Sequence, residues 1–237
     1  MPPLPPHPPT PFASSSSSPR LLYLHGFASG PNSTKGRAFE SRLARLGVAI
    51  ERLDLRIPNM EHLRASAMTA HTRERIGGER DRAVLVGSSL GGLIAAHVAE
   101  VDARVGALIL MAPAFGILAR WRTRLGALEW NAWQERGWLE VDDWANGGKA
   151  RVDFGFARDL EFLDAMSPES PDVRVPTLVF HGTRDDTVGI ESSRAWAAGK
   201  RHVTLVELDD GHELTTSLPL ILAEAERFLA PWIGRIS

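Results

Sequence analysis

Residues 83–92 read Ala-Val-Leu-Val-Gly-Ser-Ser-Leu-Gly-Gly, and a strand, a turn and a helix follow one another within and after them. The apolar run comes first, a turn rich in glycine and serine follows, and a helical pattern begins at Leu90. The turn matches G-x-S-x-G with Ser89 at its centre. In this arrangement the central serine occupies a sharp strand-to-helix turn, so its hydroxyl projects above the sheet. The helix behind it favours negative charge near that hydroxyl. The segment therefore predicts Ser89 as a nucleophile.

Two other interpretations of this turn remain open. A turn of this composition also occurs in ordinary strand–helix units, and the pattern on its own arises by chance. Ser88 is a second hydroxyl within the motif, but it lacks the spacing to the flanking glycines, and we interpret it as a structural neighbour. The apolar strand before the turn and the helix after it favour Ser89.

Strands and helices alternate over the rest of the chain from residue 20 onward, which predicts an α/β fold. The predicted strands are Leu21–His25, Val48–Leu53, Ala83–Gly87, Ala107–Met111, Thr177–His181 and Val203–Leu208. The predicted helices are Ser33–Leu46, Met60–Ile76, Leu90–Ala99, Ile190–Ala198 and Leu218–Trp232. Several strands are apolar throughout, as in sheets buried on both faces. We expect a mostly parallel sheet of about six strands, flanked by helices on both sides.

Two segments depart from this alternation. Residues 1–19 are rich in proline and then in serine, a composition that cannot bury enough apolar surface to fold. We expect a disordered extension there; a proline-rich docking segment is the alternative, and residues 20–237 form the domain. Residues 114–171 form a long insertion between two strands and hold five of the seven tryptophans. Insertions of this length are usually lids or small subdomains, so we predict a helical cap over the sheet.

Composition excludes several classes of function. The chain has 237 residues, a formal net charge of −2 and no cysteine. This charge does not indicate nucleic acid as a partner, and the absence of cysteine excludes disulfides and thiolate chemistry. No apolar run is long enough to cross a membrane, and no signal peptide is recognisable, so we expect a cytoplasmic protein.

A carboxylate and a histidine follow the last two predicted strands. Asp185 and Asp186 come after Thr177–His181, and His212 comes after Val203–Leu208 with a glycine before it. A histidine has a pKa near neutral pH, which suits a general base, and a carboxylate can hold its tautomer. Both aspartates qualify chemically. The chain order serine, aspartate, histidine is the order found in α/β-hydrolases.

The loop after the first predicted strand, His25-Gly26-Phe27, completes this set. In this fold that loop supplies one backbone N–H of the oxyanion hole, and the residue after the nucleophile supplies the other. We therefore predict the amides of Phe27 and Leu90 as oxyanion donors. His25 is interpreted as a buried histidine that shapes the loop and does not transfer a proton.

These motifs resemble the α/β-hydrolase superfamily over Arg20 to Trp232, and more closely small bacterial YqiA/YcfP-type esterases. The opening Tyr23–Phe27 segment with its following serines, proline and Lys35 carries the closer resemblance. The cap and the Asp185 region also look like the acyl-protein thioesterase and acyl-glucuronide esterase branch. The resemblance implies an H-G-x-x-D-x-x-V pattern, which selects Asp185 over Asp186. Gly189 stands where many members have proline, and two amino-terminal strands of larger relatives are missing, so the sheet is a minimal version.

The sequence therefore predicts a serine hydrolase that cleaves carboxylic esters of small or medium acyl groups through Ser89, His212 and Asp185. The same site could act on a thioester or an amide, and a catalytically silent ligand-binding protein of the same fold is a further alternative. The cap tryptophans either contact an apolar substrate group or form the core of the cap. We expect no cofactor and no metal, since no metal-binding or nucleotide-binding motif is present. The oligomeric state is left open.

Overall fold

Six parallel strands form one sheet in the computed structural model, which describes residues 18–166 and 170–233. The strands are β1 Arg20–Leu24, β2 Ile50–Leu53, β3 Ala83–Ser88, β4 Val105–Met111, β7 Thr177–Gly182 and β8 Val203–Leu208. Their order across the sheet is β2-β1-β3-β4-β7-β8. The predicted α/β fold with a mostly parallel sheet is confirmed. We predicted a disordered extension over residues 1–19. Residues 1–17 of this segment lie outside the described residues.

Helices cover both faces of the sheet because alternate strand residues point to opposite sides. Leu22 and Leu24 join one buried cluster with residues of the second and third helices, whereas Leu21 and Tyr23 join another with residues of the first and last helices. The helices outside the insertion are α1 Thr34–Ala44, α2 Ala65–Ile76, α3 Leu90–Val101, α6 Glu191–Ala197 and α7 Leu218–Ile233. Both faces of the sheet are therefore buried, as the apolar strands predicted.

The insertion between β4 and β7 contains more than helices. It holds α4 Ile117–Arg136, β5 Trp138–Asp142, β6 Lys149–Asp153 and α5 Phe154–Met166. The strands β5 and β6 pair as an antiparallel ribbon. The helices were expected, but the ribbon was not, because its half-exposed residues lack the apolar runs used to find the strands of the main sheet. A non-helical glycine, Gly126 at φ 70°, kinks α4.

Candidate active site

Ser89 sits on the turn between β3 and α3 with a backbone conformation that few residues adopt. Its φ is 53° and its ψ is −117°. This turn requires small neighbours, because a Cβ atom at Gly91 would collide with the Leu24 carbonyl and one at Gly87 would collide with Gly91 and Gly92. The glycines on both sides of Ser89 therefore permit the close packing that fixes the turn.

His212 links Ser89 to Asp185 in a single hydrogen-bonded line. The Ser89 Oγ lies 3.1 Å from His212 Nε2, and Asp185 Oδ2 lies 2.7 Å from His212 Nδ1. Ser89 follows β3, His212 follows β8 and Asp185 follows β7, so the carboxyl ends of three parallel strands bring these residues together. The Nδ1–H donates to the carboxylate, which leaves Nε2 as the acceptor for the serine proton.

Asp185 is held as a buried carboxylate, and its neighbour Asp186 is exposed. Its Oδ1 accepts hydrogen bonds from the N–H groups of Thr187 at 2.9 Å and Val188 at 2.7 Å. Its Oδ2 lies 3.2 Å from His181 Nε2 as well as near His212. Burial alone would raise the pKa of Asp185, but these hydrogen bonds outweigh burial and hold the pKa well below its ordinary value. Asp185 is therefore ionised at neutral pH.

The loop that carries His212 is fixed from both sides. The Asp210 carboxylate accepts hydrogen bonds from the N–H groups of Gly211 and Ser217, each at 2.8 Å. Lys35, a buried side chain, donates from Nζ to the Glu213 carbonyl at 2.8 Å and to its carboxylate at 3.2 Å. The sequence predicts no role for Lys35, because the residue that it contacts is 178 positions away along the chain.

The loop after β1 lies directly against the serine. A Cβ atom at Gly26 would come within 3.4 Å of the Ser89 Cβ. His25 engages backbone at both ring nitrogens: Nδ1 donates to the Gly26 carbonyl at 2.8 Å, and Nε2 accepts from the Leu55 N–H at 2.9 Å. Within the described residues, the N–H groups of Phe27 and Leu90 have no hydrogen-bond acceptor. Two unused donors therefore flank the serine.

Aromatic side chains continue from this loop into the cap. Phe27 packs edge-on against Trp121, with 4.9 Å between ring centroids, and stacks on Phe156 at 5.7 Å. Trp130 and Trp133 pack on each other and are 7% and 0% exposed, so they belong to the core of the cap. These two tryptophans therefore stabilise the cap, whereas Trp121 contacts both the Phe27 ring of the loop after β1 and the Trp133 ring of the cap.

Two absences concern only the part of the chain that the structure describes. No group of three or more histidine, aspartate and glutamate side chains there is arranged to hold a metal ion. No helix in residues 18–166 or 170–233 is long and apolar enough to cross a membrane. The cytoplasmic location stays a prediction.

A family model matches residues 20–224, which is most of the chain and includes Ser89, Asp185 and His212. The model is that of an uncharacterised protein family, UPF0227. The chain belongs to UPF0227. This confirms the resemblance to YqiA/YcfP-type proteins. No curated protein matches this UPF0227 chain.

Solved structures of α/β hydrolases share the fold of this UPF0227 member. Mouse alpha/beta hydrolase domain-containing protein 10 superposes with a TM-score of 0.71 at 19% identity, covering 91% of each chain. Est1E from Butyrivibrio proteoclasticus superposes with a TM-score of 0.72 at 22% identity, covering 93% of this chain and 90% of its own. A putative hydrolase from Agrobacterium vitis S4 superposes with a TM-score of 0.73 at 20% identity, covering 90% of this chain and 88% of its own. The fold is therefore that of the α/β-hydrolase superfamily.

Proposed function

We propose that this protein is a serine hydrolase that cleaves carboxylic esters of small or medium acyl groups. The observation that carries the proposal is the unbroken line from the Ser89 hydroxyl through His212 to the buried Asp185 carboxylate. A line of this kind lets the imidazole take the serine proton while the carboxylate stabilises the imidazolium that forms. No other group of side chains described above offers an activated nucleophile.

The reaction proceeds in two steps through an acyl-enzyme. His212 removes the proton as the Ser89 Oγ attacks the ester carbonyl, and a tetrahedral oxyanion forms. The free N–H groups of Phe27 and Leu90 donate to that oxyanion. The imidazolium returns the proton to the alcohol that leaves, and water then attacks the acyl-enzyme with His212 again as base. No cofactor takes part in this sequence.

Apolar side chains lie behind the oxyanion loop, where they line a cavity of only about 10 Å³; they include Phe27, Ala28, Leu55, Leu63, Met68 and Leu90. Est1E binds ferulic acid in one solved structure, and a neighbour from Paleococcus ferrophilus is a monoacylglycerol lipase. These names support an ester as the substrate class.

A fluorophosphonate probe tests the nucleophile, because labelling requires an activated serine. We expect the wild-type protein to be labelled and Ser89→Ala to remain unlabelled, while Ser88→Ala is labelled like the wild type. Labelling of folded Ser89→Ala would contradict Ser89 as the nucleophile, and no labelling of the folded wild type would favour a silent ligand-binding protein.

Matched ester, thioester and anilide substrates with one acyl group test the reaction class. We expect the ester to give the highest kcat/KM. A thioester or anilide turned over faster than the ester would replace the proposed substrate class while leaving the nucleophile unchanged.

A further inference from the structure

Arg120 is a partly buried cation beside the proposed catalytic site with most of its donors unused. Its guanidinium donates a hydrogen bond to the Phe115 carbonyl, and it has no ion pair within the described residues. A guanidinium has five N–H donors in a planar fork. Burying a charged group without a partner is costly, so such a group beside a cleft indicates a ligand of opposite charge.

The backbone places this guanidinium at the sheet edge next to Ser89. The Ala114 N–H donates to the Ser89 carbonyl at 3.1 Å, and the next residue, Phe115, is the acceptor for Arg120. Burial lowers the pKa of Arg120, and the negative charge of Asp185 opposes that change. The loop after β4 that accepts the hydrogen bond of Arg120 lies between the ends of β3 and β7, the strands that precede Ser89 and Asp185. The guanidinium remains positively charged at neutral pH.

Asp185 does not need Arg120 as a partner. Both of its carboxylate oxygens already accept hydrogen bonds: two backbone N–H groups donate to Oδ1, and His212 donates to Oδ2. The guanidinium therefore remains available to a molecule in the cleft.

The next residue along α4 contacts the oxyanion loop. Trp121 packs on Phe27, whose N–H is a proposed oxyanion donor, whereas Arg120 donates to the loop after β4. Successive helical residues point about 100° apart, so one turn of α4 presents an aromatic ring and a cation to different sides of the site. A substrate between them meets an apolar surface at one end and a positive charge at the other.

We propose that Arg120 forms an anion subsite that selects ester substrates carrying a carboxylate near the scissile bond. This inference rests on the proposed esterase function and names its substrate class. The planar guanidinium donates two parallel hydrogen bonds to the carboxylate, an arrangement that a neutral amide of the same shape cannot reproduce. Arg120 is thus a specificity-determining residue and takes no proton from the substrate.

Two matched ester pairs test this subsite. The first compares 4-acetoxybenzoate with 4-acetoxybenzamide, which places the carboxylate in the alcohol. The second compares the 4-nitrophenyl monoesters of glutaric acid and of glutaramic acid, which places it in the acyl group. We expect the wild type to prefer the carboxylate in at least one pair by about tenfold, as charge-assisted hydrogen bonds allow. Arg120→Gln should lose that preference, with a fall in kcat/KM about tenfold larger on the carboxylate ester than on the neutral ester.

Arg124→Gln is the matched control, because Arg124 is an exposed arginine on the same helix. It should keep the preference of the wild type. Equal loss on the charged and neutral esters in Arg120→Gln, or no preference in the wild type, would overturn the subsite while the esterase function stands.

Calorimetric binding to Ser89→Ala separates the two proposals if no ester is hydrolysed. We compare Ser89→Ala with the double variant that also carries Arg120→Gln. If the double variant binds 4-acetoxybenzoate about tenfold more weakly and binds the benzamide equally well, the subsite is supported although the esterase function is contradicted. No hydrolysis together with no selective binding would overturn both.

Discussion

The carboxyl edge of the sheet, which carries Ser89, Asp185 and His212, is held in place by different polar interactions from those of the cap. At the edge, backbone groups and buried polar side chains fix Asp185 and the His212 loop, and crowded glycines fix the Ser89 turn. The cap shares a buried apolar cluster with the sheet, and charged pairs also join it to the segment between β2 and α2. Arg56 makes two hydrogen bonds with Asp143, at 3.0 and 2.7 Å, and Arg64 makes two with Asp153, at 2.7 and 2.9 Å.

Because of this difference, we expect the two regions to affect different steps: the strand ends affect the chemical reaction, and the cap affects the access of substrate to the site. Contacts made at the carboxyl ends of the strands keep Ser89, His212 and Asp185 aligned. Charged pairs between two surfaces can break while each surface stays folded, and they depend on pH. We therefore expect changes at the edge to alter kcat or global stability, and changes at the cap contacts to alter local opening and KM.

The largest expected effect is that of Asp185→Asn on turnover. The amide cannot stabilise the imidazolium and favours the wrong tautomer, so kcat should fall by about 10³- to 10⁴-fold with the fold intact. Steady-state kinetics and circular dichroism measure both. The control is Asp186→Asn, an exposed neighbour that should change kcat little. Equal losses in the two variants would show that Asp185 has no special role.

Gly91→Ala should lower the free energy of unfolding of the whole domain. Its Cβ would collide with the carbonyl groups of Leu24 and His25, and backbone atoms cannot rotate away. We expect the free energy of unfolding to drop by about 3 kcal/mol or more, measured by urea denaturation. Gly78→Ala is the control, because its nearest neighbour, Asp81 Oδ2, lies at an ordinary contact distance of 3.7 Å. A wild-type midpoint for Gly91→Ala would show that the turn relaxes easily.

Asp143→Ala should loosen the cap without unfolding the sheet. The pair with Arg56 is mostly buried, with side chains 15% and 8% exposed, so removing one partner leaves an unpaired charge. We expect a local cost of about 2 kcal/mol, seen as faster hydrogen exchange in β5 and β6. Asp142→Ala removes only an exposed pair with Lys149 and should change exchange little. Faster exchange spread through β3 and β4 would contradict the separation of cap and edge.

The smallest expected effect is the response of the cap to acid. Hydrogen bonds from Arg56 lower the pKa of Asp143, with burial opposing them. Burial would raise the pKa of Asp153, but Arg64 and His62 outweigh it, so that pKa is lowered too. Carboxylates with lowered pKa values stabilise docking fully above the ordinary pKa of 3.8, and the contribution is lost as the pH falls below it.

Hydrogen exchange of β5 and β6, corrected for intrinsic rates, measures this response. We expect constant protection of the ribbon between pH 8 and about pH 5, and a decline below about pH 4. Protection that rises on acidification would contradict the role of these carboxylates in docking.

The local sequence was sufficient to predict which residues lie at the carboxyl edge of the sheet. The order of strands and turn motifs placed Ser89, Asp185 and His212 at the ends of three strands, and parallel strands end on a common edge. The cap was harder to predict because its residues are only half-exposed on both faces of the ribbon, and such strands lack a continuous apolar run. Its length and tryptophan content indicated a subdomain but not the ribbon.

The sequence by itself determined the fold, the strand-to-helix turn at Ser89 and the residues that follow β7 and β8, because each depends on short-range periodicity and turn chemistry. The resemblance to a known family selected Asp185 over Asp186. Only the tertiary structure decided that Lys35 holds the His212 loop and that Arg120 lies beside the site. The contact of Lys35 joins residues 178 positions apart along the chain. No local pattern encodes such contacts, because their geometry is fixed by how the loops and the cap pack on the finished sheet.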